Sequence, residues 1–312
     1  MNPLKKALPA LQENVSLRNF TTMKVGGVAD WFIEAKTVEE LVASVRAAHN
    51  NKIPYFILGN GSNIIFSDSG FPGLVIRNRT ASIAFTDKSQ VIVDSGVLLA
   101  QLILAAASHN LSGLEALFAT PGTVGGAVYG NAGTHQTAIG SLVRSITLLR
   151  PDGKIVRVLP SWMRFNYRTS RLKEIPLTEP KPVILTVRLQ LARAKLEDIQ
   201  KRLAEVKAWR IAKQPLGEFT AGSTFRNPGA GHNFPGTEPS QQTSWSLIRE
   251  SGAHTLRVGD AMPSQKHANF MTNRGKATAR EVRNLIEKVK ERVREKTGIT
   301  LTEEIEYIGH WE

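Results

Sequence analysis

The run TPGTVGGAVYGNAG, residues 120–133, constrains the fold of this chain more than any other stretch. It holds five glycines, and glycine allows a backbone to approach a neighbouring group closely and to adopt positive φ angles. Val124, Ala127 and Val128 stand among these glycines and are suited to packing, which disfavours a flexible linker. The run therefore favours a backbone pressed against a flat or phosphorylated ligand.

A second glycine-rich turn, LGNGSN, residues 58–63, follows a predicted strand. Consecutive backbone N–H groups in such a turn can form a concave anion site, although so short a motif is by itself typical of an ordinary tight turn. Neither glycine run matches G-x-x-x-x-G-K-[ST], and the turn at Gly59 and Gly61 does not continue as G-x-G-x-x-G. The two glycine runs together predict a nucleotide cofactor, held in a manner different from a Rossmann fold.

The net charge of +13 predicts a partner that carries negative charge. Charge alone leaves nucleic acid, acidic membrane and small phosphorylated substrates open. The chain has no cysteine, which excludes disulfides and thiolate chemistry, and none of its histidines has H-E-x-x-H spacing, so we expect no metal. No apolar run approaches the roughly 20 residues of a membrane span, and the N-terminus does not resemble a signal peptide. We therefore expect a cytoplasmic protein without membrane insertion.

Hydrophobic periodicity and turn residues predict an α+β chain rather than a doubly wound parallel sheet. Thr37 with Glu40, and Thr278 with Glu281, have the spacing of helix capping boxes. Predicted helices cover 37–52, 97–110, 195–214, 243–252 and 278–298. Predicted strands cover 29–35, 182–192 and 301–309, with a hairpin over 141–160.

Several polar residues are candidates for chemistry, each with an ordinary alternative. Arg168 offers a fixed cation, although most arginines are solvated. Ser223 lies in AGSTFRNP, outside any G-x-S-x-G nucleophile motif, so a serine hydrolase is not supported. Lys266 and His267 belong to one polar cluster, and a single histidine is more often structural than catalytic. In a strand, Glu304 and Glu306 would face one side and Glu303 the other.

Seven motifs taken together resemble a known family, the UDP-N-acetylenolpyruvoylglucosamine reductases, or MurB flavoenzymes, of peptidoglycan synthesis. The resemblance covers the chain beyond its first 18 residues, and the specificity comes from the joint order and spacing of the motifs. They are NFTTMKVGG (19–27), LGNGSNIIFSDSGFPGLVI (58–76), PGTVGGAVYGNAG (121–133), YRTS (167–170), AGSTFRNP (221–228), KHANF (266–270) and EIEYIG (304–309).

The resemblance implies a two-subdomain FAD-binding fold of the p-cresol methylhydroxylase or vanillyl-alcohol oxidase type, followed by a smaller α+β substrate-binding domain. The implied organisation is an N-terminal arm over 1–21, the FAD-binding domain over 22–193 and the substrate domain over 194–312. NADPH would reduce FAD, and the flavin would reduce the enolpyruvyl group of UDP-N-acetylglucosamine enolpyruvate to give UDP-N-acetylmuramate. The expected partners are small molecules and not nucleic acid, and we expect a monomer.

The resemblance also assigns site residues. The implied catalytic residues are Arg168, which would stabilise charge, Ser223, which would donate a proton, and Glu304, which would act as a neutral hydrogen-bond donor kept so by burial. The residues implied to bind substrate are Asn227, Lys266 and His267. The residues implied to bind FAD are Gly59, Asn60, Gly61, Ser62, Asn63, Pro121, Gly122, Thr123, Gly125 and Gly126.

Two departures from the family pattern affect the expected substrate domain. Glu306 stands where arginine or lysine is common, and Asp260 stands where glycine is frequent. The short chain between the arginine and serine motifs resembles the type II subgroup, which lacks a tyrosine loop over the substrate. Two other classes stay open: another FAD-dependent oxidoreductase or oxidase of the same fold, and a basic nucleic-acid-binding protein, which only the charge supports.

Overall fold

Residues 3–134, 137–229 and 242–311 are described by a computed structural model. The first sheet has the strand order β1-β2-β5-β3, with β1 antiparallel to β2 and the other pairs parallel. Two helices pack beside it. At the start of the second, the hydroxyl of Thr37 accepts the N–H of Glu40, so one half of the predicted capping box forms, while the carboxylate of Glu40 accepts the N–H of Lys36 instead of that of Thr37. The helices and strands of this part of the chain are α1 (Pro3–Ala7), β1 (Gln12–Ser16), β2 (Val28–Ala35), α2 (Val38–Asn50), β3 (Tyr55–Leu58), β4 (Ile64–Phe66) and β5 (Phe71–Asn78).

The second sheet is antiparallel throughout, in the order β10-β9-β11-β7-β6. The apolar helix α3 and the short helix α4 pack with this sheet around one hydrophobic core, and β9 with β10 form the predicted hairpin. The helices and strands of this part of the chain are β6 (Ile83–Phe85), β7 (Gln90–Asp94), α3 (Leu99–Ser108), β8 (Leu111–Ser112), α4 (Val124–Tyr129), α5 (Ile139–Leu142), β9 (Val143–Leu149), β10 (Ile155–Val158), α6 (Pro160–Met163), α7 (Arg171–Glu174), β11 (Val183–Gln190) and β12 (Ala192–Arg193).

The C-terminal region begins with a charged helix and then forms a small antiparallel sheet in the order β13-β15-β14. The long amphipathic helix α10 buries one apolar face against this sheet and against α9, and Thr278 with Glu281 form the predicted capping box. The elements are α8 (Leu196–Lys213), β13 (Phe219–Ser223), α9 (Ser244–Glu250), β14 (Ala261–Pro263), β15 (Phe270–Asn273), α10 (Ala279–Thr297) and β16 (Glu306–Ile308).

Hydrogen bonds join the C-terminal region, which begins at α8, to the preceding part of the chain, which contains the two glycine-rich runs. The last strand, β16, pairs in parallel with β4. The carboxylate of Asp68 accepts the backbone N–H groups of Ala279 at 2.8 Å and Arg280 at 2.9 Å, and so satisfies donors at the start of α10. The side-chain amide of Asn273 donates to the carbonyl of Met23 at 3.1 Å. The two regions therefore share a hydrogen-bonded boundary.

The structure refines two expectations about the ends of the chain. In the predicted arm over 1–21, whose first two residues lie outside the described part, Leu4, Leu8 and Leu11 are buried and β1 joins the first sheet. The predicted strand over 301–309 is regular only over Glu306–Ile308. The preceding residues bond instead to the AGSTFRNP segment, because the N–H of Arg226 donates to Thr302 and the N–H of Glu304 donates to Thr224. The prediction of a nine-residue strand was therefore too long.

Candidate active site

Ser223 is the last residue of β13, where the ladder with β15 becomes irregular. The register shifts between Thr220 and Ser223, and Gly222 has a φ of 82°, a left-handed conformation that favours glycine. Such an irregularity re-aims the side chains that follow it. Ser223 is half-buried and lines a large cavity. The glycine of this motif thus shapes the strand end that carries the serine.

Glu304 is held beside Ser223 by its backbone. Its N–H donates to the carbonyl of Thr224 at 2.8 Å, and its own carbonyl accepts the side-chain amide of Asn63 at 3.1 Å and the ammonium of Lys173 at 2.9 Å. Asn63 belongs to the first glycine-rich turn, so this turn is bonded directly to the segment that carries Glu304. The position of the carboxyl group is therefore set by both regions of the chain.

Arg168 forms an ion pair with Glu304, with 3.1 Å between Nε and Oε1. Arg168 has a φ of 54°, and a non-glycine residue is strained by about 1–3 kcal/mol in the left-handed region. The turn is held closed by reciprocal backbone hydrogen bonds between Asn166 and Thr169, both at 3.2 Å. The carboxyl group of Glu304 therefore lies against a guanidinium, and its role toward a substrate stays a prediction.

The two glycine-rich runs lie against each other. The hydroxyl of Ser62 donates to the carbonyl of Pro121 at 3.0 Å. A Cβ on Gly59 would lie 2.7 Å from Oγ1 of Thr123, so no side chain fits there without movement. The second run, expected to be a loop, turns into helix α4 after Thr123, whose hydroxyl accepts the N–H of Gly126 at 3.3 Å. Together the runs form a wall of bare backbone.

This wall faces a cavity of about 2180 Å³ that extends to the C-terminal region. Ordinary small-molecule pockets measure roughly 300–1,000 Å³, so the cavity has room for a cofactor and a substrate side by side. The predicted site residues that line it are Gly59, Asn60, Gly61, Ser62, Asn63, Pro121, Gly122, Thr123, Gly125, Gly126, Arg168, Ser223, Asn227, His267 and Glu304.

Lys266 is the predicted site residue that the cavity lining does not include. Its side chain is exposed, and its ammonium donates to the carbonyl of Ile211 on α8. Its neighbour His267 does line the cavity, and burial lowers the pKa of its imidazole, which favours the neutral ring. In Asn227, Oδ1 accepts the N–H of Ser244 at 3.0 Å, so this residue also positions the start of α9.

A group of polar residues on the cavity wall was missed by the sequence analysis. The ammonium of Lys181 donates to the hydroxyl of Tyr129 at 2.9 Å, and that hydroxyl donates to Glu306 at 3.0 Å. Burial lowers the pKa of Lys181 and of Lys173, and the negative charge of Glu306 opposes that shift. Burial and the charge of Glu306 both raise the pKa of Tyr129. The three residues of this chain of contacts come from distant segments, so no spacing in the sequence signals them.

The same group explains one departure from the family pattern. Glu306 stands where a basic residue is common, and in this chain two half-buried lysines, Lys173 and Lys181, lie within electrostatic reach of it. Asp260, the other departure, pairs with Arg257 at 3.0 Å and accepts the backbone N–H of Lys276 at 3.2 Å. Its role in the structure is to hold a turn.

The fold and the cavity define a class of protein. Bare backbone at two touching glycine runs suits the approach of a pyrophosphate and a flat ring system, and the size of the cavity suits a dinucleotide with a second ligand. These features define a protein that binds a dinucleotide cofactor beside a second ligand. Among the described helices, none is long and apolar enough to cross a membrane, and the described residues hold no cluster of three metal-binding side chains.

Comparison with known proteins identifies the family. Residues 29–159 match the FAD binding domain, and residues 214–308 match the C-terminal domain of UDP-N-acetylenolpyruvoylglucosamine reductase. Relatives with that reductase name include one from Carboxydothermus hydrogenoformans, 37% identical over 98% of this chain and 96% of its own, and one from Prochlorococcus marinus, 36% identical over 99% of this chain and 100% of its own. The crystal structure of the reductase from Thermus caldophilus superposes with a TM-score of 0.77 at 35% identity, covering 96% of this chain and 99% of that one. The chain belongs to the UDP-N-acetylenolpyruvoylglucosamine reductase family.

Proposed function

We propose that this chain uses NADPH and FAD to reduce the enolpyruvyl group of UDP-N-acetylglucosamine enolpyruvate to the lactyl ether of UDP-N-acetylmuramate, a step in peptidoglycan precursor synthesis. The observation that carries the proposal is the convergence of Ser223, Arg168 and Glu304 on a cavity that also borders the two glycine runs. Family membership supports the substrate, and the FAD binding domain supports the cofactor.

FAD would be held by the two glycine runs, residues 59–63 and 121–126, and would supply the redox chemistry, the transfer of hydride from NADPH to C3 of the enolpyruvyl double bond. Negative charge then develops on C2 and on the conjugated carboxylate. Arg168 stabilises that charge, and a guanidinium fixed before the reaction needs no reorganisation as the charge forms. Its Nε–H contacts Glu304, while the guanidinium fork carries further N–H donors on its two terminal nitrogens.

Ser223 donates the proton that C2 needs. A carbanionic carbon is a strong base, so a hydroxyl of ordinary acidity can protonate it and no neighbouring base has to activate the serine. The irregular end of β13 holds this hydroxyl on the cavity wall. Glu304 acts in this scheme as a positioning residue, because its carboxyl group contacts Arg168 and its backbone bonds to Thr224, next to Ser223.

The proposal is tested by separating the two half-reactions in a Ser223→Ala variant. Flavin reduction by NADPH should proceed at the wild-type rate, because it does not use the serine. Reoxidation by the enolpyruvyl sugar should slow by at least the 10²–10⁴-fold typical of general acid catalysis. The matched control is Ser108→Ala, since Ser108 is an exposed serine of α3.

Unchanged reoxidation in Ser223→Ala would remove the proton-donor role. NADPH oxidation that proceeds equally well without the sugar, with rapid consumption of oxygen, would instead indicate an oxidase of the same fold. A cytoplasmic location and a monomeric state accompany the proposal as predictions, and a sedimentation measurement of the holoenzyme checks the second of them.

A further inference from the structure

Helix α9 presents a tryptophan and an arginine on its outer face. Ser244, Leu247 and Ile248 are buried and form the inner face of this helix. Trp245 and Arg249, four residues apart, therefore share the opposite face. The Arg249 guanidinium carbon lies 5.5 Å from the centre of the Trp245 ring, and the tryptophan is 40% exposed. So large an exposed aromatic surface offers a flat contact area to a ligand.

The exposed tryptophan lies on the cavity wall and not on the outer surface alone. It lines the cavity together with His267, and the centres of the two rings are 6.5 Å apart. The ring of His267 contacts that of Phe270 with 4.8 Å between centres. Phe270 is the residue paired with Ser223 across the β13–β15 ladder. Trp245 is thus two ring contacts away from the strand pair that carries the proposed proton donor.

Buried polar contacts fix the tryptophan relative to the serine. The N–H of Ser244, the residue before Trp245, donates to Oδ1 of Asn227, and the hydroxyl of Ser244 donates to the carbonyl of Arg226. The amide of Asn269 bonds the backbone of Phe225 in both directions, at 3.0 and 2.8 Å. The residues from Ser223 to Asn227 are therefore bonded both to the start of α9 and to the His267–Phe270 turn.

We propose that Trp245 is a specificity-determining residue that stacks on the pyrimidine base of the nucleotide-sugar substrate. The inference rests on the proposed function, which requires a ligand with a reactive enolpyruvyl end and a base at its other end. Ser223, His267 and Trp245 line one cavity, so a ligand held at Ser223 by its reactive end has the exposed indole available to its base. Arg249 beside the indole adds positive charge, which suits the neighbouring pyrophosphate. The ring of His267 is tilted by 62° from the indole and borders it edge-on, and burial lowers the pKa of this imidazole.

The base of NADPH is the competing occupant of this platform. NADPH reacts through its nicotinamide, so the base that would compete for Trp245 is its adenine. A KM for the sugar that depends on Trp245 indicates the pyrimidine, and a KM for NADPH that depends on Trp245 indicates the adenine. The stacking of one base on an aromatic side chain contributes roughly 1–3 kcal/mol, and each 1.4 kcal/mol is tenfold in affinity. Loss of the indole should therefore weaken the uridine ligand about tenfold.

The test measures the binding of UDP to the oxidised FAD holoenzyme by calorimetry. Trp245→Ala should raise the Kd for UDP about tenfold, Trp245→Phe should stay within about threefold of wild type, and inorganic pyrophosphate should bind equally to all three. The control is Trp162→Ala, which removes a tryptophan of α6 that also lies beside an arginine, 4.6 Å from the guanidinium carbon of Arg171, but is not part of the cavity lining, and it should leave UDP binding unchanged. In turnover, Trp245→Ala should raise the KM for the enolpyruvyl sugar by a similar factor, with kcat and the KM for NADPH preserved.

Two results would overturn the inference. One is wild-type UDP affinity in Trp245→Ala, and the other is a raised KM for NADPH with an unchanged KM for the sugar. Failure of the proposed function looks different: UDP binds in a Trp245-dependent way, but the enolpyruvyl sugar does not reoxidise the reduced flavin. Since UDP binding is measured without turnover, the two failures are separable.

Discussion

The two walls of the cavity are built in different ways. The cofactor wall, residues 59–63 and 121–126, consists of backbone brought close by glycine, as at Gly59, where a Cβ would clash with Thr123. The substrate wall, residues 223–227, 267–270 and 304, consists of side chains and strand ends held by hydrogen bonds between distant segments, as in the double contact between Asn269 and Phe225. The side-chain amide of Asn63 joins the two walls by donating to the carbonyl of Glu304, and Arg168 is bound to the substrate wall through its ion pair with Glu304.

The difference follows from what each wall has to contact. A pyrophosphate and a flat ring system are common to all FAD proteins, and bare backbone suffices to hold them. The substrate wall must place a proton donor and a cation on particular carbon and oxygen atoms, which only fixed side chains can do. Substitutions on the substrate wall should therefore affect the chemistry of the sugar, and those on the cofactor wall should affect FAD content.

The largest effect is expected at Arg168, the cation that is paired with Glu304 of the substrate wall. Arg168→Ala should lower kcat for reduction of the enolpyruvyl sugar by about 10²–10³, the usual cost of removing a preorganised group that stabilises developing charge. Flavin reduction by NADPH should change little, so stopped-flow measurement of both half-reactions checks the assignment.

The matched control for this arginine is Arg164→Ala. Arg164 also has a positive φ, 47°, but its side chain is exposed four residues before the site. Equal losses in the two variants would show that charge or backbone strain, and not the position of Arg168 in the cavity, causes the effect.

A smaller effect is expected on the cofactor wall. Gly59→Ala introduces a Cβ about 2.7 Å from Oγ1 of Thr123, and overpacking of this kind costs roughly 1–3 kcal/mol. The Kd for FAD should rise about tenfold, as followed by flavin fluorescence during titration of the apoprotein, while kcat at saturating FAD stays within about threefold.

Gly130→Ala serves as the control for this substitution, because a Cβ at Gly130 meets only an ordinary contact of 3.6 Å with the carbonyl of Gly126. If kcat collapses in Gly59→Ala with FAD fully bound, the division of labour between the two walls does not hold.

The smallest effect is expected at the boundary between the regions. Asp68→Ala removes a carboxylate that accepts two N–H groups at the start of α10, and a lost helix cap costs about 1 kcal/mol. Denaturant unfolding should show this loss, and Asp87→Ala, at an exposed aspartate, should not. Equal stability of the two variants would mean that the contact at Asp68 contributes nothing.

The cofactor wall could be predicted from the sequence to a greater extent than the substrate wall. The local sequence alone indicates the role of this wall, because few residues other than glycine permit such close backbone approach. The glycines concerned are Gly59, Gly61, Gly122, Gly125 and Gly126. The motif resemblance also predicted Ser223, Arg168 and Glu304 as site residues, and all three line one cavity in the structure. Their roles stay predictions.

The rest depended on contacts that no local pattern contains. Lys266 was expected in the site because it adjoins His267, but its ammonium is used by the backbone of α8. Trp245 falls within an ordinary amphipathic helix, and only the packing of that helix turns the indole toward the cavity. The contact between Tyr129 and Lys181 spans 52 positions of the chain, so tertiary structure alone reveals it.

The central claim is that NADPH first reduces the FAD held by the cofactor wall, and that the residues of the substrate wall then complete the reduction of the enolpyruvyl sugar. The visible spectrum of the flavin tests this claim directly. Under anaerobic conditions, one equivalent of NADPH should bleach the flavin of the purified holoenzyme, and the subsequent addition of UDP-N-acetylglucosamine enolpyruvate should restore the oxidised spectrum within one turnover and yield UDP-N-acetylmuramate. A reduced flavin that the enolpyruvyl sugar leaves bleached, but that oxygen reoxidises, would contradict the account.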